Sequence, residues 1–225
     1  MADATCWTLI EGAAAGRSDA RAEFSARYLP LIRAYLHARW KGRLGSAELE
    51  DAVQEVFLEC LREGGVLERA GTGRREGFRA FLLGVVRNIA LRHETARAQR
   101  IDAPGTAAFE ADAQPRSEES LSRVFDRAWA VSILGDALAL QSARARDGPP
   151  ELARRLELLR EVFDEGRAIA ELARQREADP DALYREYKRA LAELMRALKS
   201  VVAFHHPGAP DAVERECREI IGLFG

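Results

Sequence analysis

Between Arg74 and Arg100 the chain carries seven arginines (74, 75, 79, 87, 92, 97 and 100) against two acids, Glu76 and Glu94. Between Ser46 and Glu63 it carries six acids against one arginine. Residues of these types at this density do recognition chemistry. A guanidinium fork matches two phosphate oxygens at once, which an ammonium cannot do. A neighbouring acidic segment suits a basic or polar protein surface. A charge run is also what a solvated face looks like, so sign alone selects no partner.

Groups for bond-making chemistry are scarce. His37, His93, His205 and His206 are scattered, and His205, His206 and Cys217 do not have zinc-ligand spacing. His93 and Glu94 are neighbours in sequence, which on a helix points them apart. No glycine-rich loop runs into Lys-Ser or Lys-Thr. The expectation is a protein with no catalytic residue, no metal and no cofactor, and so not an enzyme.

Two helices must position the charges. In the acidic segment Leu49, Ala52, Val53, Val56, Phe57, Cys60 and Leu61 follow a helical stripe, with Ser46 as expected N-cap and Glu48, Glu50 and Asp51 near the positive end of the dipole. The opposite side carries Asp51, Gln54, Glu55, Leu58 and Arg62. Leu58 is an apolar residue on a polar face. A lone exposed leucine is ordinary, yet one ringed by a carboxamide and carboxylates also has the form of a dry interface centre. The pattern leaves both open. In the basic segment, 78–98, the stripe is Phe78, Phe81, Leu82, Val85, Val86 and Ile89, with Arg87 opposite. Phe78 and Phe81 are expected in the core and not on a base, because both lie on the stripe.

These residues resemble a known family. EDAVQEVFLECL (50–61) followed by FRAFLLGVVRNIALRH (78–93) is similar to the core helices of bacterial RNA polymerase sigma factors, in particular the extracytoplasmic-function group. FSARYLPLIRAYLHAR (24–39) resembles that group's preceding helices. FDRAWAVSILGDALAL (125–140) and DAVERECREIIGLFG (211–225) resemble a longer branch of it with a C-terminal extension. The resemblance implies that Asp51, Gln54, Glu55 and Leu58 bind core RNA polymerase at the clamp helices of its largest subunit. It implies that Arg79, Arg87, Asn88 and Arg92 meet the promoter's minus-ten element, Arg92 from the edge of the buried stripe, and that the loop 64–77 helps hold a flipped non-template base. Promoter DNA, core polymerase and an anti-sigma factor are the implied partners.

Composition is compatible with that expectation. A chain of 225 residues with net charge -2 must bind nucleic acid through local patches, because it has no global positive field. Cys6, Cys60 and Cys217 are odd in number and far apart, which suits a reducing cytoplasm better than a disulfide framework. There is no apolar run of membrane length, and 1–16 holds Asp3 and Glu11 with no basic start, so neither a membrane span nor a signal peptide is expected.

The fold class is expected to be all-α: two helical domains, 1–100 and 121–225, joined by an Ala/Pro/Gly-rich linker at 101–120. N-terminal helices are expected near 5–14, 18–28, 31–40, 46–62 and 78–98. C-terminal ones are expected near 121–143, 150–163, 167–175, 180–202 and 211–223. RAIAELA (167–173), a turn, and a helix opened by Asp179 and Pro180 have the order of a helix-turn-helix. Leu183, Tyr187, Leu191, Leu194, Leu198 and Val201 are its expected buried stripe, with Tyr184 packed beside it. Arg185, Lys188, Arg189 and Arg196 lie on the other side as DNA-binding candidates. In the family this module reads the minus-thirty-five element and leans on the flap of polymerase's second large subunit. Here the turn lacks the usual glycine, and Asp179 and Asp181 would repel phosphate near the helix start. An alternative therefore stands beside the sigma factor: a sigma-like protein-interaction module or helix-turn-helix regulator without promoter-opening activity of its own.

Overall fold

A computed structural model describes residues 5–41, 45–62, 77–101, 117–207 and 209–223. Among these residues there are nine helices and no strand: α1 (Cys6–Ala14), α2 (Ser18–Trp40), α3 (Ser46–Leu61), α4 (Gly77–Ile101), α5 (Glu118–Asp147), α6 (Pro150–Phe163), α7 (Ile169–Gln175), α8 (Pro180–His205) and α9 (Pro210–Gly222). The all-α expectation holds. Most of the loop 64–77 and of the linker 101–120 lies outside the described residues; Gly77 opens α4, and Glu118 opens α5.

The chain divides into two compact units. One is Met1–Ser132 with Phe204–Gly208, and the other is Ile133–Ala203 with Ala209–Gly225. The boundary passes through α5 and through the last turn of α8, not through the 101–120 segment.

In the first unit the six stripe residues of α4 are all buried, as are Ala52, Val53, Val56 and Cys60 of α3. They close on an aromatic cluster. Tyr28 and Phe24 of α2 have ring centroids 4.8 Å apart, and Tyr28 and Phe78 lie at the same distance. Trp7 of α1 meets Phe78 edge-on at 5.9 Å. Leu121, Phe125 and Trp129 of α5 are buried against this unit, with Phe125 edge-on to Tyr35 at 6.2 Å. Phe78 and Phe81 are thus core residues, unavailable for base stacking.

His205 completes the core. Its ring is 1% exposed, its Nε2 lies 3.1 Å from the Tyr28 hydroxyl, and its centroid sits 4.8 Å from that of Trp129. A residue weighed as a metal-ligand candidate is thus a buried polar group paired with a phenol. Among the described residues no group of three His, Cys, Asp or Glu side chains converges as a metal site. No described helix is long and apolar enough to cross a membrane.

Three local expectations need correction. The helices expected at 18–28 and 31–40 are one continuous helix, with Pro30 inside it. The proline removes one backbone donor, but Tyr28, Leu31 and Ile32 are buried on either side, and their packing carries the helix through. Ser46 does not cap α3. It is the first helical residue, and Gly45 takes the cap position, its N–H donating to the Glu48 carboxylate at 3.1 Å. Helix α5 runs longer at both ends than the expected 121–143, with Glu118 and Glu119 in its first turn and Arg144 and Arg146 in its last, where the dipole favours those signs.

In the second unit Leu158, Leu172, Ala173 and Leu183 form the core of α6, α7 and the start of α8, with Val162, Ile169 and Tyr187 packed around them. Further along α8 the buried apolar residues are Ala190, Ala197, Leu198, Val201 and Val202. Two alanines absent from the expected stripe are fully buried there, while Leu191 and Leu194 are half-buried. Helix α9 buries Val213, Cys217 and Ile220.

Candidate nucleic-acid and protein interfaces

Helix α3 presents Asp51, Gln54 and Leu58 outward, one turn apart in sequence, and Leu58 is 70% exposed. The reason is periodic: Val53, Val56 and Cys60 take the inward face, which leaves 51, 54 and 58 on the other side. Glu55 behaves differently. Its carboxylate accepts from Arg92 Nη2 at 2.6 Å and lies 2.5 Å from His93 Nε2. Two residues expected to serve different partners, Glu55 and Arg92, are therefore partners of each other, and the opposite charges of α3 and α4 are partly spent across their own seam.

The outward face of α4 carries Arg87, Asn88 and Arg92, all exposed, with Arg79 half-buried. Each of the three arginines meets a carboxylate from another helix. Arg92 has Glu55 of α3, Arg87 Nε lies 3.2 Å from Glu118, and Arg79 Nε lies 3.5 Å from Asp126, the last two on α5. Glu118 is itself held from below by Arg39 of α2, whose Nη1 donates to it at 2.7 Å. Arg39 donates through Nε and Nη2 to both oxygens of Glu94, at 2.7 and 3.0 Å, and through Nη1 to the Tyr35 hydroxyl at 3.1 Å. The Trp40 indole N–H donates to Glu94 at 2.9 Å.

The Arg39 side chain is only 8% exposed, so this is a buried guanidinium with two carboxylate partners, the geometry in which such a charge is tolerated. Glu94's hydrogen bonds raise the Arg39 pKa above its ordinary value against the opposing effect of burial. Burial raises the Tyr35 hydroxyl despite the neighbouring Arg39. His93 and Glu94, adjacent in the chain, turn to different helices, as helical geometry requires.

In the second unit the segment expected as a helix-turn-helix consists of α7, the turn 176–179 and α8. The turn closes without glycine. Ala178 N–H reaches Ala173 O at 2.9 Å and Glu177 N–H reaches Arg174 O at 3.3 Å, the paired bonds of a Schellman cap. Glu177 takes the left-handed position, with φ at 49°, where glycine is usual. Asp179 caps α8 as expected, its carboxylate accepting from the N–H groups of Asp181 and Ala182 at 3.2 and 3.1 Å.

Arg185, Lys188, Arg189 and Arg196 all stand on the exposed side of α8. Their neighbourhood is not purely basic. Arg185 Nη2 lies 3.8 Å from Asp179, and Arg189 pairs with Glu186. Arg155 of α6 spans two turns of α8, donating to Glu186 at 2.7 Å and Glu193 at 2.8 Å. The Arg155 hydrogen bond holds Glu186 below the usual carboxylate range. Arg155, Glu186 and Arg189 line a cleft of about 440 Å³ with Glu151, Arg154, Leu158, Arg176 and Leu183, in which four arginines stand against two glutamates.

Tyr184 departs from expectation: it is 47% exposed, with Lys188 Nζ 5.2 Å from its ring centre. Leu183 takes the core place beside it, and the i, i+4 spacing to Lys188 keeps Tyr184 on the outer face. Its ring lies 6.5 Å from Tyr187, which lies 6.5 Å from the exposed Phe163.

Sequence reasoning missed Arg39, Glu118, Asp126 and Arg155. Only the Glu186/Glu193 pair left a signal, two acids about two turns apart on one helix. The three cysteines are buried, and burial pushes the thiols of Cys6 and Cys60 up to about 12 and that of Cys217 to about 11, which keeps them protonated at neutral pH. Compared with protein-family models and with curated proteins, the chain matches none.

Proposed function

We propose that the chain is a sigma factor of the extracytoplasmic-function type, which binds core RNA polymerase, recognises promoter DNA and helps open it. The observation that carries this is Leu58: a leucine 70% exposed on the same outward face as Asp51 and Gln54, on a helix whose other side buries Ala52, Val53, Val56 and Cys60. An apolar centre with a polar rim is the make-up of a protein contact. In this reading Asp51, Gln54 and Leu58 meet the clamp helices of polymerase, and Glu55 does so by giving up a partner. Arg79, Arg87, Asn88 and Arg92 meet the minus-ten element. Arg185, Lys188, Arg189 and Arg196 meet the upstream element, while the second unit leans on the flap. The chemistry belongs to polymerase, so this chain needs no catalytic residue and no cofactor. The reading puts the protein in the cytoplasm with polymerase and admits an anti-sigma factor as a further partner.

A second reading has its own support: Arg79, Arg87 and Arg92 of α4 are already paired with carboxylates, and Asp179 and Asp181 stand at the start of α8. These favour a sigma-like interaction module or a helix-turn-helix regulator that does not open promoters. Run-off transcription from genomic fragments with purified core polymerase separates the two. Initiation at discrete sites that depends on this protein supports the sigma factor. Binding to polymerase without initiation supports the second reading, and absence of polymerase binding removes the first.

A further inference from the structure

Helices α4 and α5 pair arginine with carboxylate in antiparallel order. Arg87 meets Glu118, and Arg79, eight residues earlier, meets Asp126, eight residues later. Eight residues span about 12 Å of helix, so the two carboxylates stand in a row along the arginine face. Neither can leave with its helix, because Leu121, Phe125 and Trp129 between and beside them are buried. Glu118 is fixed further, since its other oxygen is held by Arg39 at 2.7 Å, and Arg39 is itself clamped by Glu94 and Tyr35. A phosphate arriving at α4 must therefore displace a carboxylate in place.

We infer that Glu118 and Asp126 act as a built-in competitor for nucleic-acid phosphate at Arg87 and Arg79. This rests on the reading of α4 as the nucleic-acid face. The fixed carboxylates tax every phosphate chain alike, whatever its sequence. Contacts to phosphate supply affinity without sequence information. The free protein thus stays off bulk nucleic acid, and tight binding needs energy from base contacts or from a second partner.

The probe is a fluorescent 30-nucleotide single-stranded DNA of mixed sequence, titrated with full-length protein by anisotropy over a series of salt concentrations. Releasing one half-exposed pair is expected to tighten binding by about threefold, so Glu118→Gln gains about threefold and Glu118→Gln with Asp126→Asn about tenfold. The salt dependence should steepen by about 0.7 per phosphate gained. Because Glu118 also supports Arg39, Asp126→Asn alone is the independent variant, and thermal melts of all variants accompany the titrations.

Adding Arg79→Ala and Arg87→Ala should erase the gain. No tightening in either single variant overturns the competitor. So does a gain that survives loss of both arginines, which would then reflect net charge alone. If the arginine changes weaken wild-type binding while the acid changes do nothing, the competitor fails and the nucleic-acid reading of α4 stands. If the arginine changes alter nothing in any background, that reading itself fails.

Discussion

Leu58→Asp is the sharpest perturbation of the proposed polymerase contact. The side chain is 70% exposed, so its replacement leaves the core of the first unit intact, and the cost to folding should stay within about 0.5 kcal/mol. Binding is another matter. Full burial of a leucine is worth about 2 kcal/mol, and with 70% of the surface still in water about 1.5 kcal/mol remains to be gained on docking, which is about tenfold in affinity. Leu58→Ala should lose most of that. Leu58→Asp loses it too and adds a carboxylate to a face that already carries Asp51 and Glu48, so a further loss of about tenfold is expected once the contact is desolvated. The assay is equilibrium binding of labelled protein to purified core polymerase, with circular-dichroism melts as the control for folding. Wild-type affinity in Leu58→Asp, with an unchanged melt, would refute the reasoning, because no contact centred on that position could tolerate the charge.

Three further outcomes follow from the geometry. Glu177→Gly should stabilise the second unit by about 1 kcal/mol, since only glycine adopts φ near 49° without steric cost, and a lower melting temperature would contradict this. His205→Ala should destabilise the first unit by about 3 kcal/mol, read by denaturant unfolding, because it empties a ring-sized space between Tyr28 and Trp129. Glu186 has a folded pKa below its unfolded value, so its contribution is present above about pH 4.5 and is lost as pH falls through the lower folded value. Glu186→Gln should flatten that part of the acid-unfolding profile, and an unchanged profile would remove Glu186 as its source.

The parts legible in the sequence were those encoded by short-range periodicity. The six apolar positions of α4 recur at helical spacing, and all are buried; Asp179 before Pro180 marked a cap, and its carboxylate accepts two backbone N–H groups there. Exposure of Leu58 followed from the same wheel that buried Val56 and Cys60. What sequence could not carry was pairing across helices. Glu118 is 31 residues from Arg87, and Glu94 is 55 from Arg39, separations at which no local pattern links acid to base. Pro30 misled for a related reason: a breaker's local cost was outweighed by tertiary burial on both sides. Tyr184 misled because aromatic residues beside an apolar stripe are read as core, whereas here its neighbour Leu183 packs into the core with Leu158, Leu172 and Ala173 and Tyr184 stays outside.

The ion pairs also sort the candidate residues by what they must give up. Asp51, Gln54 and Leu58 can meet a partner with no internal loss. Glu55 cannot, because its two oxygens serve Arg92 and His93 on α4. A partner that takes Glu55 must compensate for both contacts, and an exposed pair of this kind is worth less than about 1 kcal/mol, so a strong cationic group on the partner could do it. The first three residues should therefore set whether the protein docks at all. Glu55 should set how that docking depends on salt, because exchanging one ion pair for another is the step most exposed to screening. Substitution at Glu55 that weakened binding equally at low and high ionic strength would contradict this division.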